Sequence, residues 1–178
     1  MKRIFVVSDT HGGLSNWEKF RREFLKGADL LIHAGDVLYH GPRNPLPEGY
    51  DPRGLVEELN NLKVPLVFCR GNCDADVDQL LLRYPLSFPY AYCFVNGCKI
   101  VVTHYLEGIR VEDFQVDLLI CGHTHVPTIE RRGKTMILNP GSLALPKGSS
   151  PSFAIIDLEE GKAEVLSLEG EVLKRANL

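Results

Sequence analysis

The stretch Arg3-Ile4-Phe5-Val6-Val7-Ser8-Asp9-Thr10-His11-Gly12 decides how the rest of the chain reads. Basic residues ahead of an apolar run suggest an export signal, yet the run stops at Ser8-Asp9 after Ile4–Val7. An export signal needs about 7–15 apolar residues. The segment is therefore expected to be a first β-strand, apolar on both faces and so buried on both. Similar short runs are expected as strands over Asp29–Ala34, Pro65–Cys69, Ala91–Val95, Lys99–Thr103, Leu118–Cys121, Thr135–Leu138, Phe153–Leu158 and Ala163–Leu168. Helical patterns lie between the early ones. Leu14–Lys26, with Ser15 as the expected N-cap, carries Trp17, Phe20, Phe24 and Leu25 on one face. Arg53–Leu62 and Asp76–Arg83 follow. Strand–helix–strand alternation in the first half predicts right-handed parallel crossovers. Asn96-Gly97, Arg132-Gly133-Lys134 and Glu159-Glu160-Gly161-Lys162 predict antiparallel hairpins in the second half.

The expected architecture is α/β, a β-sandwich of mixed sheets flanked by helices, with residues 1–178 forming one domain. Twenty basic against 23 acidic residues give a net charge of −3. That balance supplies no basic track for long nucleic acid and no bulk attraction to an anionic membrane. No apolar run is long enough to span a bilayer. Five cysteines without a CxxC pair, in a chain with no export signal, fit reduced thiols and a cytoplasmic location. The irregular, proline-rich stretch Leu38–Pro52 is long for a connecting loop, and such loops are often functional.

Polar residues cluster where the strands end: Asp9 and His11, Gly35-Asp36, Gly71-Asn72-Cys73-Asp74, His104, and Gly122-His123-Thr124-His125. Ligands of open α/β sheets bind outside the carboxyl ends of strands, so these tips are expected to converge. Imidazoles and carboxylates suit first-row divalent ions. The donors are too many for one tetrahedral ion and suit two ions sharing a carboxylate. Neither short motif decides the matter alone: a shuffled chain would contain Asp-x-His roughly one time in three. The ordered set, each member after an apolar strand, carries the weight.

These blocks, with Asn139-Pro140-Gly141-Ser142, resemble those of the calcineurin-like metallophosphoesterase superfamily over residues 4 to about 148. The segment Gly35-Asp36-Val37-Leu38-Tyr39-His40-Gly41-Pro42-Arg43-Asn44 resembles the small bacterial manganese-dependent phosphodiesterases. The resemblance implies a divalent-metal-dependent phosphodiesterase that cleaves a small phosphodiester by attack of a hydroxide bridging two ions. It implies that Asp9, His11 and His125 hold the first ion, that Asn72, His104 and His123 hold the second, and that Asp36 bridges them. Manganese is the expected ion, with zinc, iron, cobalt and nickel admissible. Asp36, Asn72 and Cys73 are the expected catalytic positions. The alternatives are a catalytically silent protein-binding scaffold of the same fold, or a phosphomonoesterase or nuclease. Exposed strand edges would admit a homo-oligomer.

Three departures from the family pattern stand out. Cys73 occupies the position of a histidine, and Tyr39 and His40 replace the Asp-Arg pair that accompanies it in many members. A thiol carries no positive charge, which favours monoanionic diesters over dianionic monoesters. After His104 the chain reads Tyr105-Leu106 in place of Gly-His. Outside the blocks, His33 is expected to be a structural histidine and Arg70 a partner in an ion pair. Asp74-Ala75-Asp76-Val77-Asp78 is expected to be the acidic start of a helix.

Overall fold

The computed structural model describes residues 2–178. β1 (Arg3–Val7), β2 (Leu30–His33), β3 (Leu66–Cys69) and the short β4 (Leu86–Ser87) run parallel in sequence order. On the other side of β1, the antiparallel strands β10 (Ser152–Asp157), β11 (Lys162–Ser167) and β12 (Val172–Asn177) complete a seven-stranded sheet. The second sheet has the order β5-β6-β7-β9-β8, from β5 (Ala91–Val95), β6 (Cys98–Val102), β7 (Leu118–Ile120), β8 (Pro127–Arg132) and β9 (Thr135–Pro140). Its central pairs β6–β7 and β7–β9 are parallel, while both outer pairs are antiparallel. The mixed-sheet sandwich expected from the sequence is the architecture found.

The apolar run of β1 divides between two cores because successive side chains point to opposite faces. Ile4 and Val6 join Ile32, Ile100, Val102, Ile120 and Leu138 between the sheets. Phe5 and Val7 face outward onto α1 (Leu14–Glu23) and α2 (Pro52–Asn60), where Trp17, Phe20, Leu55 and Leu59 are fully buried. Phe20 packs against Phe153 of β10 at a ring separation of 4.9 Å. A smaller cluster on the far face of the second sheet buries Val101, Leu119 and Ile137 beside the 3-10 turn Val111–Phe114. No helix among the described residues is long and apolar enough to cross a membrane.

The elements differ from expectation where local signals were weak. α1 ends at Glu23, with Phe24 as its C-cap, and Gly13 rather than Ser15 occupies the N-cap position. The Leu14 N–H donates instead to the Gly49 carbonyl at 3.1 Å, so a tertiary contact does the work of a capping side chain. α2 is capped as a sequence would be expected to cap it, Asp51 Oδ1 accepting from the Gly54 N–H at 2.9 Å. α3 (Asp76–Leu81) begins within the acidic run, as expected. The strands that no apolar run announced, β4, β8 and β12, all lie at sheet edges, and β8 and β12 carry exposed charges at Glu130, Arg131, Arg132, Lys174 and Arg175.

Candidate metal centre

Five of the strands in parallel pairs, β1, β2, β3, β6 and β7, deliver their carboxyl ends to one cleft. Asp9 and His11 follow β1, Asp36 follows β2, Asn72 and Cys73 follow β3, His104 follows β6, and His123 and His125 follow β7. Backbone hydrogen bonds lock neighbouring tips together: Asp9 N–H to the Gly35 carbonyl at 2.9 Å, and His11 N–H to the Asp36 carbonyl at 3.0 Å. Seven described non-glycine residues have positive φ, and five of them are Asp9, His11, Asp36, His123 and His125. Left-handed backbone costs energy for residues with a Cβ, although Asp and His tolerate it better than most. Its concentration here turns five side chains inward at once, a pattern typical of functional sites.

Close approach also dictates two glycines. A Cβ on Gly71 would lie 2.1 Å from Asp36 Oδ1, and one on Gly122 would lie 2.1 Å from Ser8 Oγ. Both positions let backbone pass where any side chain would push a candidate ligand aside.

The site resolves into two groups of donors. In the first, His11 Nδ1 is tied to the Tyr39 carbonyl at 2.8 Å, and His125 Nδ1 to the Leu145 carbonyl. These bonds place the ring protons on Nδ1 and leave both Nε2 lone pairs facing inward. The two Nε2 atoms are 3.3 Å apart and lie 3.6 and 3.2 Å from Asp9 Oδ1. That oxygen is buried and accepts no hydrogen bond, whereas Asp9 Oδ2 accepts from Ser8 Oγ at 2.6 Å and His123 N–H at 3.1 Å. A buried carboxylate oxygen facing two imidazole lone pairs lacks a positive charge, and a divalent ion fits that need.

In the second group, His104 Nδ1 is held by the Ala34 carbonyl at 2.7 Å. Its Nε2 faces Asn72 Oδ1 at 3.2 Å and Asp36 Oδ2 at 3.4 Å, and His123 Nδ1 lies 2.9 Å from the same Asn72 oxygen. Asp36 Oδ2 is also 3.8 Å from His11 Nε2, so one carboxylate spans both groups. Thus the structure brings together all seven residues singled out from the sequence. Cys73 sits at the margin, its N–H donating to Asp36 Oδ1 at 2.7 Å.

The titration shifts follow this geometry. Burial by itself would raise the Asp9 carboxyl; protons on the facing His11 and His125 Nε2 atoms, standing where an ion would, outweigh it and hold it well below the usual carboxylate range. Burial disfavours charge on His104, yet Asp36 and Asp9 raise it to about 9. Burial first, then the Asp36 charge, pushes the Cys73 thiol up to about 12, so this side chain is a neutral thiol.

Several residues quoted from the sequence have supporting roles that the sequence did not reveal. Asp74 is buried, and its two oxygens accept from Asp36 N–H at 2.9 Å, Val37 N–H at 2.7 Å and Gly71 N–H at 2.7 Å. It joins the turn after β2 to the turn after β3, a role beyond that of an acid near a helix start. Ser142 Oγ donates to the Asp9 carbonyl at 2.8 Å, and Asn139 Nδ2 donates to the Gly122 carbonyl at 2.7 Å. Tyr105 packs on His123 at a ring separation of 4.5 Å and on His104 at 5.1 Å, so the departure after His104 sets a ring against two candidate ligands. His33 is the structural histidine expected, with Nε2 2.9 Å from Thr10 Oγ1 and Nδ1 accepting from Gly35 N–H at 3.2 Å. Arg70 pairs with Asp76 at 2.9 Å and donates to the Asp74 carbonyl at 3.1 Å. His40 packs between Tyr39 and Tyr50, with ring separations of 4.7 and 5.4 Å. The cleft in front of these groups encloses about 1040 Å³ and is also lined by Arg43 and Lys147.

Comparison with known proteins gives a consistent outcome. A sequence model of the calcineurin-like phosphoesterase superfamily domain matches residues 1–161. The chain is 41% identical over 162 residues to phosphodiesterase YfcE of Escherichia coli K12, covering 88% of each. It is 32% identical over 177 residues to the probable metallophosphoesterase YsnB of Bacillus subtilis, covering 91% of this chain and 88% of that one. The solved structure of the E. coli phosphoesterase YfcE superposes with a TM-score of 0.89 at 35% identity, covering 98% of each chain.

Proposed function

We propose, from the premise that this chain belongs to the calcineurin-like phosphoesterase superfamily, that it is a divalent-metal-dependent phosphodiesterase acting on a small phosphodiester. The observation that carries this is the buried, unbonded Asp9 Oδ1 facing the inward Nε2 atoms of His11 and His125. Asp9, His11 and His125 would hold one ion; Asn72, His104 and His123 would hold a second; and Asp36 would serve both. Manganese is the ion proposed, with zinc, iron, cobalt and nickel compatible with the same donors. Such ions would supply Lewis-acid charge and an activated water for in-line displacement at phosphorus.

The protein's own contribution is to hold the donors before substrate arrives. The carbonyls of Tyr39, Leu145 and Ala34 orient three imidazoles. Arg43 and Lys147 line the cleft as cations and would draw an anionic phosphate towards it. The acting unit is proposed to be the whole chain as one domain, in the cytoplasm. Long nucleic acid is a poor partner, because the net charge is −3.

Hydrolysis of bis(4-nitrophenyl) phosphate should disappear after chelation and return with Mn²⁺. Metal binding without turnover of this diester or the matching monoester, with any of the admissible ions, would favour a scaffold instead.

Cys73 adds a preference within that activity. A neutral thiol beside Asp36 supplies neither a positive charge nor a ready proton, whereas a dianionic monoester demands more positive charge than a monoanionic diester. Cys73→His should therefore raise the ratio of monoester to diester turnover by about tenfold, a modest share of what one well-placed donor supplies. An unchanged ratio for 4-nitrophenyl phosphate against the bis-ester would remove Cys73 as a determinant.

A further inference from the structure

A second cavity of about 670 Å³ lies beside the metal cleft, between the loop following β2 and helices α2 and α3. Its lining is mainly apolar: Leu38, Val56 and Val77, with Leu81 and the rings of Tyr39 and Tyr50. Three residues, Tyr39, Cys73 and Ala75, line both spaces, so the two adjoin. Two of them are bonded directly to candidate ligands. The Tyr39 carbonyl faces His11 Nδ1 at 2.8 Å, and the Cys73 N–H donates to Asp36 Oδ1 at 2.7 Å.

The groove offers little to a charged group. Arg53 and Glu57 at its rim face each other at 3.7 Å, and Asp78 turns back to accept from the Ala75 N–H at 2.8 Å. Val77 is 56% exposed and Leu81 51% exposed, although both line an apolar space large enough for a drug-sized ligand. Apolar side chains gathered at one concave, exposed site mark a binding surface more often than scattered ones do.

A phosphodiester presents two ester arms to the metal centre, of which one departs and one stays on phosphorus. The cleft beyond the metal ligands is polar, with Arg43, Arg70, Asp76 and Lys147 in its lining. Two further spaces share lining residues with it: one carries Arg70, Asp76 and Gln79 beside Leu80 and Leu86, whereas the groove past Cys73 is the larger and more apolar of the two. We propose that this groove binds an uncharged apolar ester arm, alkyl or aryl, of the phosphodiester hydrolysed at the metal centre. The inference rests on the phosphodiesterase reading above and narrows its substrate class. A second copy of this chain is the competing occupant.

The test uses 4-nitrophenyl phosphodiesters with one leaving group and a second arm of methyl, ethyl, propyl, butyl or phenyl, with the manganese-loaded protein. Burying each methylene should raise kcat/KM by about three- to fourfold, so methyl to butyl should span about 30- to 60-fold. In the neutral double variant Val77→Asn/Leu81→Gln, that span should fall below about fivefold, since the transfer gain per methylene is lost. Binding is read separately from turnover. The methyl resonances of Val77 and Leu81 should shift with the methyl ester of butylphosphonic acid and stay in place with dimethyl phosphate. Turnover of the methyl compound with a flat series overturns the groove assignment and leaves the phosphodiesterase intact. Shifts with the butyl ligand but no turnover of any diester uphold the groove as an alkyl site and overturn the phosphodiesterase. Shifts that follow protein concentration alone, with a flat series, assign the groove to a second copy and overturn the proposal.

Discussion

Replacing Asp36 with alanine should lower metal-restored diester hydrolysis on the order of 10³-fold or more, the scale on which losing a central electrostatic element acts. Asp36 Oδ2 lies 3.4 Å from His104 and 3.8 Å from His11, so it is the carboxylate common to both donor groups. Its removal leaves each group short of one negative donor, and the bound metal should fall from about two ions per chain to one or fewer. The same residue accepts the Cys73 N–H at 2.7 Å, and Asp36→Asn keeps an oxygen for that bond. Asn at this position should retain the wild-type melting temperature within about 3 °C, the shift that roughly 1 kcal/mol makes in a chain of this size. Activity of the alanine variant within tenfold of wild type, after metal is restored, would remove Asp36 from the centre.

Asp74→Ala should produce the largest loss of stability among substitutions at polar positions near the site. Three buried N–H groups, those of Asp36, Val37 and Gly71, donate to its carboxylate, and alanine would leave all of them without an acceptor. Each unsatisfied buried donor costs about 1–3 kcal/mol, so a combined loss of about 3–5 kcal/mol is expected after partial relaxation and water entry. In a chain of this size that lowers the melting temperature by roughly 10 °C or more. Burial, together with the neighbouring Asp36 charge, pushes the Asp74 carboxyl upward, while the same N–H groups pull against it. Thermal unfolding in chelator isolates this effect from metal binding, which would itself favour the folded state. A shift below about 3 °C would mean that the turns after β2 and β3 hold without Asp74.

The two substitutions act at different levels of the same construction. Asp36 presents charge to the cleft, whereas Asp74 sits behind it and fixes the backbone from which Asp36 and Asn72 project. Both stand in polar runs at strand ends, but only the fold shows that Asp74 turns away from the cleft to backbone N–H groups.

The amino-acid sequence by itself determined the sandwich and the place of its site. Ile4–Val7, Leu30–Ile32 and the later apolar runs could bury both faces only in packed sheets, and the polar residues after each run had to emerge at the strand ends. The seven candidate donors could therefore be picked out by residue type and local order, because each follows its strand by a few residues. The hairpin at Asn96-Gly97 was legible for a similarly local reason, since both residues adopt positive φ there. Only the tertiary structure decided the rest, where the forces come from residues distant in sequence. β8 and β12 lie at sheet edges and bring little more than Ile129 and Ala176 against the inter-sheet core, so no apolar run announced them, although the hairpin expected at Arg132-Gly133-Lys134 implied a strand on the β8 side. Gly49 took the capping role expected of Ser15 because a loop returns its carbonyl to the start of α1. Asp74 bonds to N–H groups 38 and 37 residues earlier, which no local pattern can express. The apolar groove likewise exists only where the loop, α2 and α3 meet: its side chains gain a common surface through packing, not through their order in the chain.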